Sequence, residues 1–177
     1  MGTRKVLRIG HPALRKCAAK VPDEWFGSER LDRLIDDLFD TKLACCGAGL
    51  AAPQIDEPWR IFVIGMSHNP RYPHAEPLPE CVLINPVIKS IGNDLTVGWE
   101  GCLSVPGLRG EVERWQHIHL KWRDREGAFH TEELKDFHAR VVQHEKDHLD
   151  GVLFPDRLTS PVAFGFTDEL QASGRIP

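Results

Sequence analysis

Between Asp136 and Leu149 one segment carries two constraints at once. Phe137, Val141, His144 and His148 recur at helical spacing, and Asp150-Gly151 closes the run, so the pattern predicts a helix over 136–149. Two of the residues on its apolar side are histidines four apart. On a helix such residues lie on one face a turn apart, so both imidazoles of His144-Glu145-Lys146-Asp147-His148 can reach a single ion. Glu145 sits about 100° round from His144, close enough to an open coordination position to move protons there. The plainer reading is a solvated helix that happens to carry two histidines, and the rest of the chain has to decide between them.

A catalytic ion takes three protein ligands and keeps one position open. No histidine follows His148, which removes a three-histidine arrangement. Glu169 lies downstream at roughly the distance that thermolysin-like peptidases use, although Thr167-Asp168-Glu169-Leu170 lacks their Asn-Glu-x-x-x-Asp surroundings. Upstream, Cys102 stands in Glu100-Gly101-Cys102-Leu103-Ser104, and a thiolate is a good ligand for a borderline-soft divalent ion. Both residues stay open as the third ligand on spacing alone. Cys17, Cys45, Cys46 and Cys81 read as small packing residues, and the other histidines lack ligand spacing.

Elsewhere the strongest signal is a second helix. Leu31, Leu34, Ile35, Leu38 and Phe39 form an apolar stripe, with Ser28 as candidate N-cap and Gly47 near the end. Residues 5–22 read as an extended arm broken by His11-Pro12 and Val21-Pro22. Ile61–Ile64 reads as a buried strand, 66–80 with its four prolines as a loop, and 81–91 as a strand interrupted at Asn85-Pro86. Residues 115–122 alternate as a half-buried strand, and 128–134 return beside it; the tail from Pro161 shows no long helix. The sum is α+β, short and mostly antiparallel strands around the histidine helix, in one domain over 1–177.

Net charge −4 gives no support for broad attraction to nucleic acid or an anionic membrane, and no apolar run is long enough to span a bilayer. Five cysteines, an odd number without a Cys-x-x-Cys pair, suit reduced thiols in a cytoplasmic protein, as does an N-terminus without a secretion signal.

Three segments together resemble the peptide deformylase family: Gly47-Ala48-Gly49-Leu50-Ala51-Ala52-Pro53-Gln54, then Glu100 to Ser104, then Gln143-His144-Glu145-Lys146-Asp147-His148-Leu149, in that order. The likeness runs from the N-terminal arm to about Leu158. It implies a hydrolase that removes the formyl group from the N-terminal formyl-methionine of nascent polypeptides and releases formate. Cys102, His144 and His148 would then hold one divalent ion, Fe(II) in the cell, with Zn, Ni or Co as substitutes. Glu145 would be the general acid/base, and Gln54 with the Leu103 N–H would stabilise the oxyanion. Gly47 and Gly49 would let the backbone run close to substrate, and Val141 would wall the methionine pocket. Glu100 reads as a support for the Cys102 loop, with Arg109 as its partner or a contact to substrate backbone.

The chain departs from the family at Lys146, where an apolar residue is usual; a regular helix would turn it away from the ion. The tail is short and carries Asp168 and Glu169, so the ribosome docking of relatives that end in a long basic helix is not expected, and any ribosome contact would be transient. Two other readings remain: a zinc peptidase completed by Glu169, and a non-catalytic binder of formylated peptides, which should show damage at Glu145, Gln54 or a ligand, and shows none.

Overall fold

The computed structural model describes residues 2–67 and 75–176. The histidine segment is the helix its spacing predicts, α2 (Asp136–Leu149), and the apolar stripe is α1 (Glu29–Ala44). Ser28 Oγ accepts the Leu31 N–H at 3.3 Å, which satisfies one of the donors that a helix start leaves unpaired.

Among the described residues, eight strands form two antiparallel sheets. The larger has the order β1 (Gly49–Ala51), β2 (Ile61–Met66), β3 (Leu78–Ser90), β6 (His117–Arg123), β7 (Phe129–Lys135); the smaller is β4 (Leu95–Cys102), β5 (Val105–Trp115), β8 (Phe164–Phe166). β2 is buried on both faces because a helix covers each. Ile61 and Val63 meet Leu31, Ile35 and Leu38 of α1, while Phe62 and Ile64 share a cluster with Val141 and Val142 of α2. α2 therefore lies between the sheets, packed on β1, β2 and β7 and also on β5. Beneath the β4–β5 hairpin a third cluster gathers Cys102, Val105, Val112 and Phe154.

Some expected boundaries move. Residues 78–80, read as loop, begin β3, where pairing with β2 is already irregular and a proline is tolerated. The rest of that loop includes 68–74, outside the described residues. Asn85-Pro86 does not end the strand; Asn85 takes φ +52°, the register slips, and the Asn85 side chain pairs with the Val21 backbone. The strand read over 115–122 breaks at Gln116, although Ile118, Leu120 and Trp122 are buried on one face as the alternation requires. The hairpin of β4 and β5 was not foreseen at all. The tail adds β8 and a single short helix, α3 (Thr167–Ala172).

The N-terminal arm crosses the molecule with short turns at Pro12–Arg15 and Asp23–Trp25. Its backbone donates from Leu7 to Gln54 O, from Ile9 to Ser104 O and from Ala18 to Leu149 O, each at 2.8 Å. Gly151, just past α2, has φ +73°, and a Cβ there would lie 2.7 Å from Arg15 O, so glycine is needed both for the turn and for the crossing arm. Among the described residues no helix is long and apolar enough to cross a membrane.

Candidate metal centre

α2 aims His144 and His148 at the end of β4, where the strand turns into β5 and presents Cys102. Cys102 Sγ lies 3.2 Å from His148 Nε2, and one donor atom from each of the three residues falls within 4.8 Å of the others. In a tetrahedral site with one thiolate and two imidazoles, sulfur and nitrogen stand roughly 3.6 Å apart. The pair need only spread slightly to admit an ion. One buried atom beside it, Glu145 Oε2, finds no partner among the described residues, as expected where something other than protein completes the site; His148 Nδ1, on the side of its ring away from Cys102, finds none either.

The orientation of His144 is fixed from behind. Its Nδ1 lies 2.8 Å from Glu100 Oε2, which leaves Nε2 for the ion. Glu100 is itself clamped: Arg114 donates to both of its oxygens at 2.9 Å, and Arg140 Nη1 donates at 2.9 Å. Arg114 also reaches Asp147, which Arg157 holds from the far side at 2.6 and 2.7 Å. Burial alone would raise the Glu100 pKa, but the hydrogen bonds from Arg114 and His144 carry it well below the usual carboxylate range. Arg140 also donates to the carbonyls of Thr96, Gly98 and Val112, and Gln143 exchanges hydrogen bonds with the Trp115 backbone, so α2 is pinned to both long strands of the smaller sheet.

Charge in the donor set follows from the same packing. Burial opposes a thiolate at Cys102, but the facing imidazoles of His148 and His144 outweigh it and set its pKa well below the ordinary thiol value. Burial likewise opposes a charged His144, and its hydrogen bonds to Cys102 and Glu100 win. At Glu145 burial dominates and pushes the carboxyl up to about 7.

In front of these residues opens a narrow cleft, open to solvent. Gly47, Ala48 and Gly49 form one rim and Trp99, Gly101 and Leu103 the other; Phe137, Val141, His144 and Glu145 form the floor. β1 is the edge of its sheet, so the strand bordering the cleft has one side without a neighbour. Gln54 Nε2 sits 3.1 Å from Ser104 Oγ and 3.6 Å from Cys102 Sγ, its carbonyl oxygen accepting the Ala51 N–H at 2.8 Å. No partner of the Leu103 N–H is found among the described residues.

A family model for polypeptide deformylase matches residues 3–163. The chain belongs to the polypeptide deformylase family. Among its relatives, a peptide deformylase 1 of Prochlorococcus marinus is 53% identical over 99% of this chain and 91% of its own length. A peptide deformylase 1 of Nitrosomonas europaea is 45% identical over 94% of each chain. The fold is that of the class I type b enzyme of Acinetobacter baumannii bound to Met-Ala-Ser, with TM-score 0.86 and 37% identity over 89% of this chain and 99% of that one. The deformylase family is metal-dependent, and Cys102, His144 and His148 form a group able to hold an ion.

Most residues singled out from sequence meet at this cleft: Gly47, Gly49, Gln54, Cys102, Leu103, Val141, His144 and Glu145 all line it, and His148 lies beneath. Arg109 does not. It is buried on β5 opposite Gly101, and Glu100 takes its cations from Arg114 and Arg140 instead. Glu169 is exposed on α3 and stands outside the group of candidate ligands. Lys146 turns away from the cleft and pairs with Asp150 one turn on. Arg140 was missed, although it lies one turn before His144 on the same helix face; Trp99 was missed because nothing marked its strand.

Proposed function

We propose that this chain removes the formyl group from N-terminal formyl-methionine on newly made polypeptides and releases formate, with Cys102, His144 and His148 holding the ion. The observation that carries the reading is the meeting of a buried thiol, two imidazoles and a carboxyl oxygen without a partner among the described residues, at and just beneath one cleft. Substrate lies extended along the free side of β1, where the backbone of Gly49 and of Ala48 just before it adds the substrate as a further strand. The methionine side chain packs on Val141 and Phe137.

A divalent ion in this donor set supplies Lewis acidity, which acidifies a water near neutral pH and polarises a carbonyl. Glu145 takes the proton of the attacking water at Oε2 and later delivers it to the leaving amine nitrogen, a task suited to a carboxyl raised to about 7. As charge grows on the formyl oxygen, the Leu103 N–H and Gln54 Nε2 donate to it. Losing one such donor commonly costs about 10²–10³ in rate. We assign Fe(II) as the ion in the cell; a thiolate with two imidazoles also accepts Zn, Ni or Co. The reaction belongs in the cytoplasm, with transient contact to the ribosome as the chain emerges.

The test is anaerobic formate release from formyl-Met-Ala-Ser by the wild type and Glu145→Ala, with metal assayed in both. Release that collapses in the variant while metal stays bound is expected. Full metal content with no formate from the wild type overturns the reading.

A further inference from the structure

A second groove begins where the cleft ends. Leu103, on the cleft rim, also lines a depression that opens to solvent. One wall is the N-terminal arm, with Lys5, Arg8 and His11; the other is Leu103, Pro106 and Cys45. Cys45 stands two residues before Gly47 of the opposite cleft rim, so both rims run on into the groove.

Its charge is unusual for this chain. Residues 1–22 hold six Lys and Arg and no Asp or Glu, in a protein of net charge −4. Arg4 pairs with Asp37 and Glu57, and Arg15 with Asp156. Lys5 and Arg8 are exposed and make no ion pair among the described residues. The groove thus offers cations without ion pairs among the described residues beside apolar side chains, and it shares Leu103 with the cleft.

We propose that this groove receives the substrate polypeptide beyond its third residue and selects chains that carry acidic side chains there. The inference rests on the deformylase reading, since it is the substrate of that site that continues into the groove. An extended chain advances about 3.3 Å per residue, so residues four to seven reach beyond the cleft and along the arm. Glu or Asp at those positions meets Lys5 and Arg8, and Lys or Arg is repelled.

The test compares formyl-Met-Ala-Ser with two heptapeptides that continue it, one with an all-Glu tail and one with an all-Lys tail. In 20 mM salt (roughly a 20 Å screening length) the wild type should favour the Glu-tailed peptide by about tenfold in kcat/KM, mostly through KM, and by about twofold or less in 0.5 M salt. The charge-reversed variant Lys5→Glu/Arg8→Glu should invert the ratio. A wild-type ratio within twofold at low salt overturns the groove proposal while leaving the deformylase reading intact. No formate from the tripeptide overturns the reading itself. Polyuridylate provides the other arm: RNA binding lost in the variant, with no effect of tail charge on the peptides, would assign the cations to phosphate and overturn the proposal. The wild-type salt comparison needs no variant, so it stands even if the reversal disturbs folding.

Discussion

Gly49 is the sharpest place to test how the cleft works. A Cβ there would stand 2.5 Å from Glu145 Oε1 and 2.7 Å from both Cδ and Cγ. Carbon contacts settle at about 3.5–4.0 Å, so Gly49→Ala requires the Glu145 carboxylate to retreat by about 1 Å. Rotation of the tip alone will not suffice, because Cγ is crowded as well. Nor can the strand withdraw easily, since β1 pairs along its length with β2. Displacing a catalytic group by about 1 Å costs on the order of 10² in rate, and overpacking adds about 1–3 kcal/mol of destabilisation. The ligands are not touched, so metal should remain. The expected result is a drop of about 10² in kcat for formyl-Met-Ala-Ser with full metal content. Gly47→Ala is the control. Its Cβ meets Gly49 O and Leu103 Cδ1, both at 3.0 Å; the leucine methyl can yield, and the carbonyl must give by only a few tenths of an ångström, against about 1 Å at Glu145. It should lose far less. Wild-type activity in Gly49→Ala, or metal loss in step with activity, would refute the argument that glycine here makes room for Glu145.

Ile9→Pro removes the N–H that Ile9 donates to Ser104 O and should lower kcat about tenfold by loosening the Leu103 donor, whereas Ile9→Ala keeps the donor and should match wild type. Equal loss in both would assign the effect to the side chain. Arg114→Met removes the cation shared by Glu100 and Asp147 but leaves Arg140 and Arg157 on them, and should cost about 1.5–3 kcal/mol in denaturant unfolding; a loss under about 1 kcal/mol contradicts the clamp. Because Glu100 is depressed in the folded state, its contribution is fully present above the unfolded value of about 4.3 and is lost as pH falls below it toward the folded value, so wild-type stability should decline on that acid limb. In metal-free protein Cys102 should be a thiolate at pH 7, seen as ultraviolet thiolate absorbance that Cys102→Ser abolishes. Absorbance that appears only near the free-thiol value of about 8.5 would show that the two histidines do not hold the charge.

What could be read from sequence divides along a physical line. α1 and α2 are amphipathic in the ordinary sense, so periodicity and the Ser28 cap located them. β4 and β5 invert the usual pattern. Leu95 and Val97 face solvent, whereas Glu100, Arg109 and Arg114 are buried, so a rule that puts apolar side chains inside finds no strand there. The inversion has a cause: these strands carry the charged clamp behind His144 beside only a small apolar cluster of Val105, Val112 and Phe154. Spacing exposed His144, Glu145 and His148, because helix geometry converts four residues into one face. Gln54 and Leu103 were singled out only by the resemblance of their segments, which also chose Cys102 over Glu169. The partners that orient them come from distant strands, and nothing in the local sequence tells Arg109 from Arg114 as the residue that meets Glu100. A cue did exist at Arg140, one turn before His144, since a charged residue on a buried helix face must find a partner.

The N-terminal arm shows how little local signal a necessary segment needs. It has no periodicity, and its exposed residues mix basic, small and polar types. Yet its backbone donates to Gln54, to Ser104 and to Leu149, one residue from each of the three motif segments. Those segments belong to the end of β1, to the β4–β5 turn and to α2, which otherwise meet mainly through side chains. A chain that crosses all three with main-chain hydrogen bonds fixes their separations more firmly than flexible side chains do, because each bond is short and directional. The same crossing explains why Gly151 cannot carry a side chain: its Cβ would strike the Arg15 carbonyl and push the arm away from α2. Precision at Glu145 and Leu103 thus depends on a strand-like segment that pairs with no sheet, and whose contribution becomes visible only when the carbonyls it satisfies are traced.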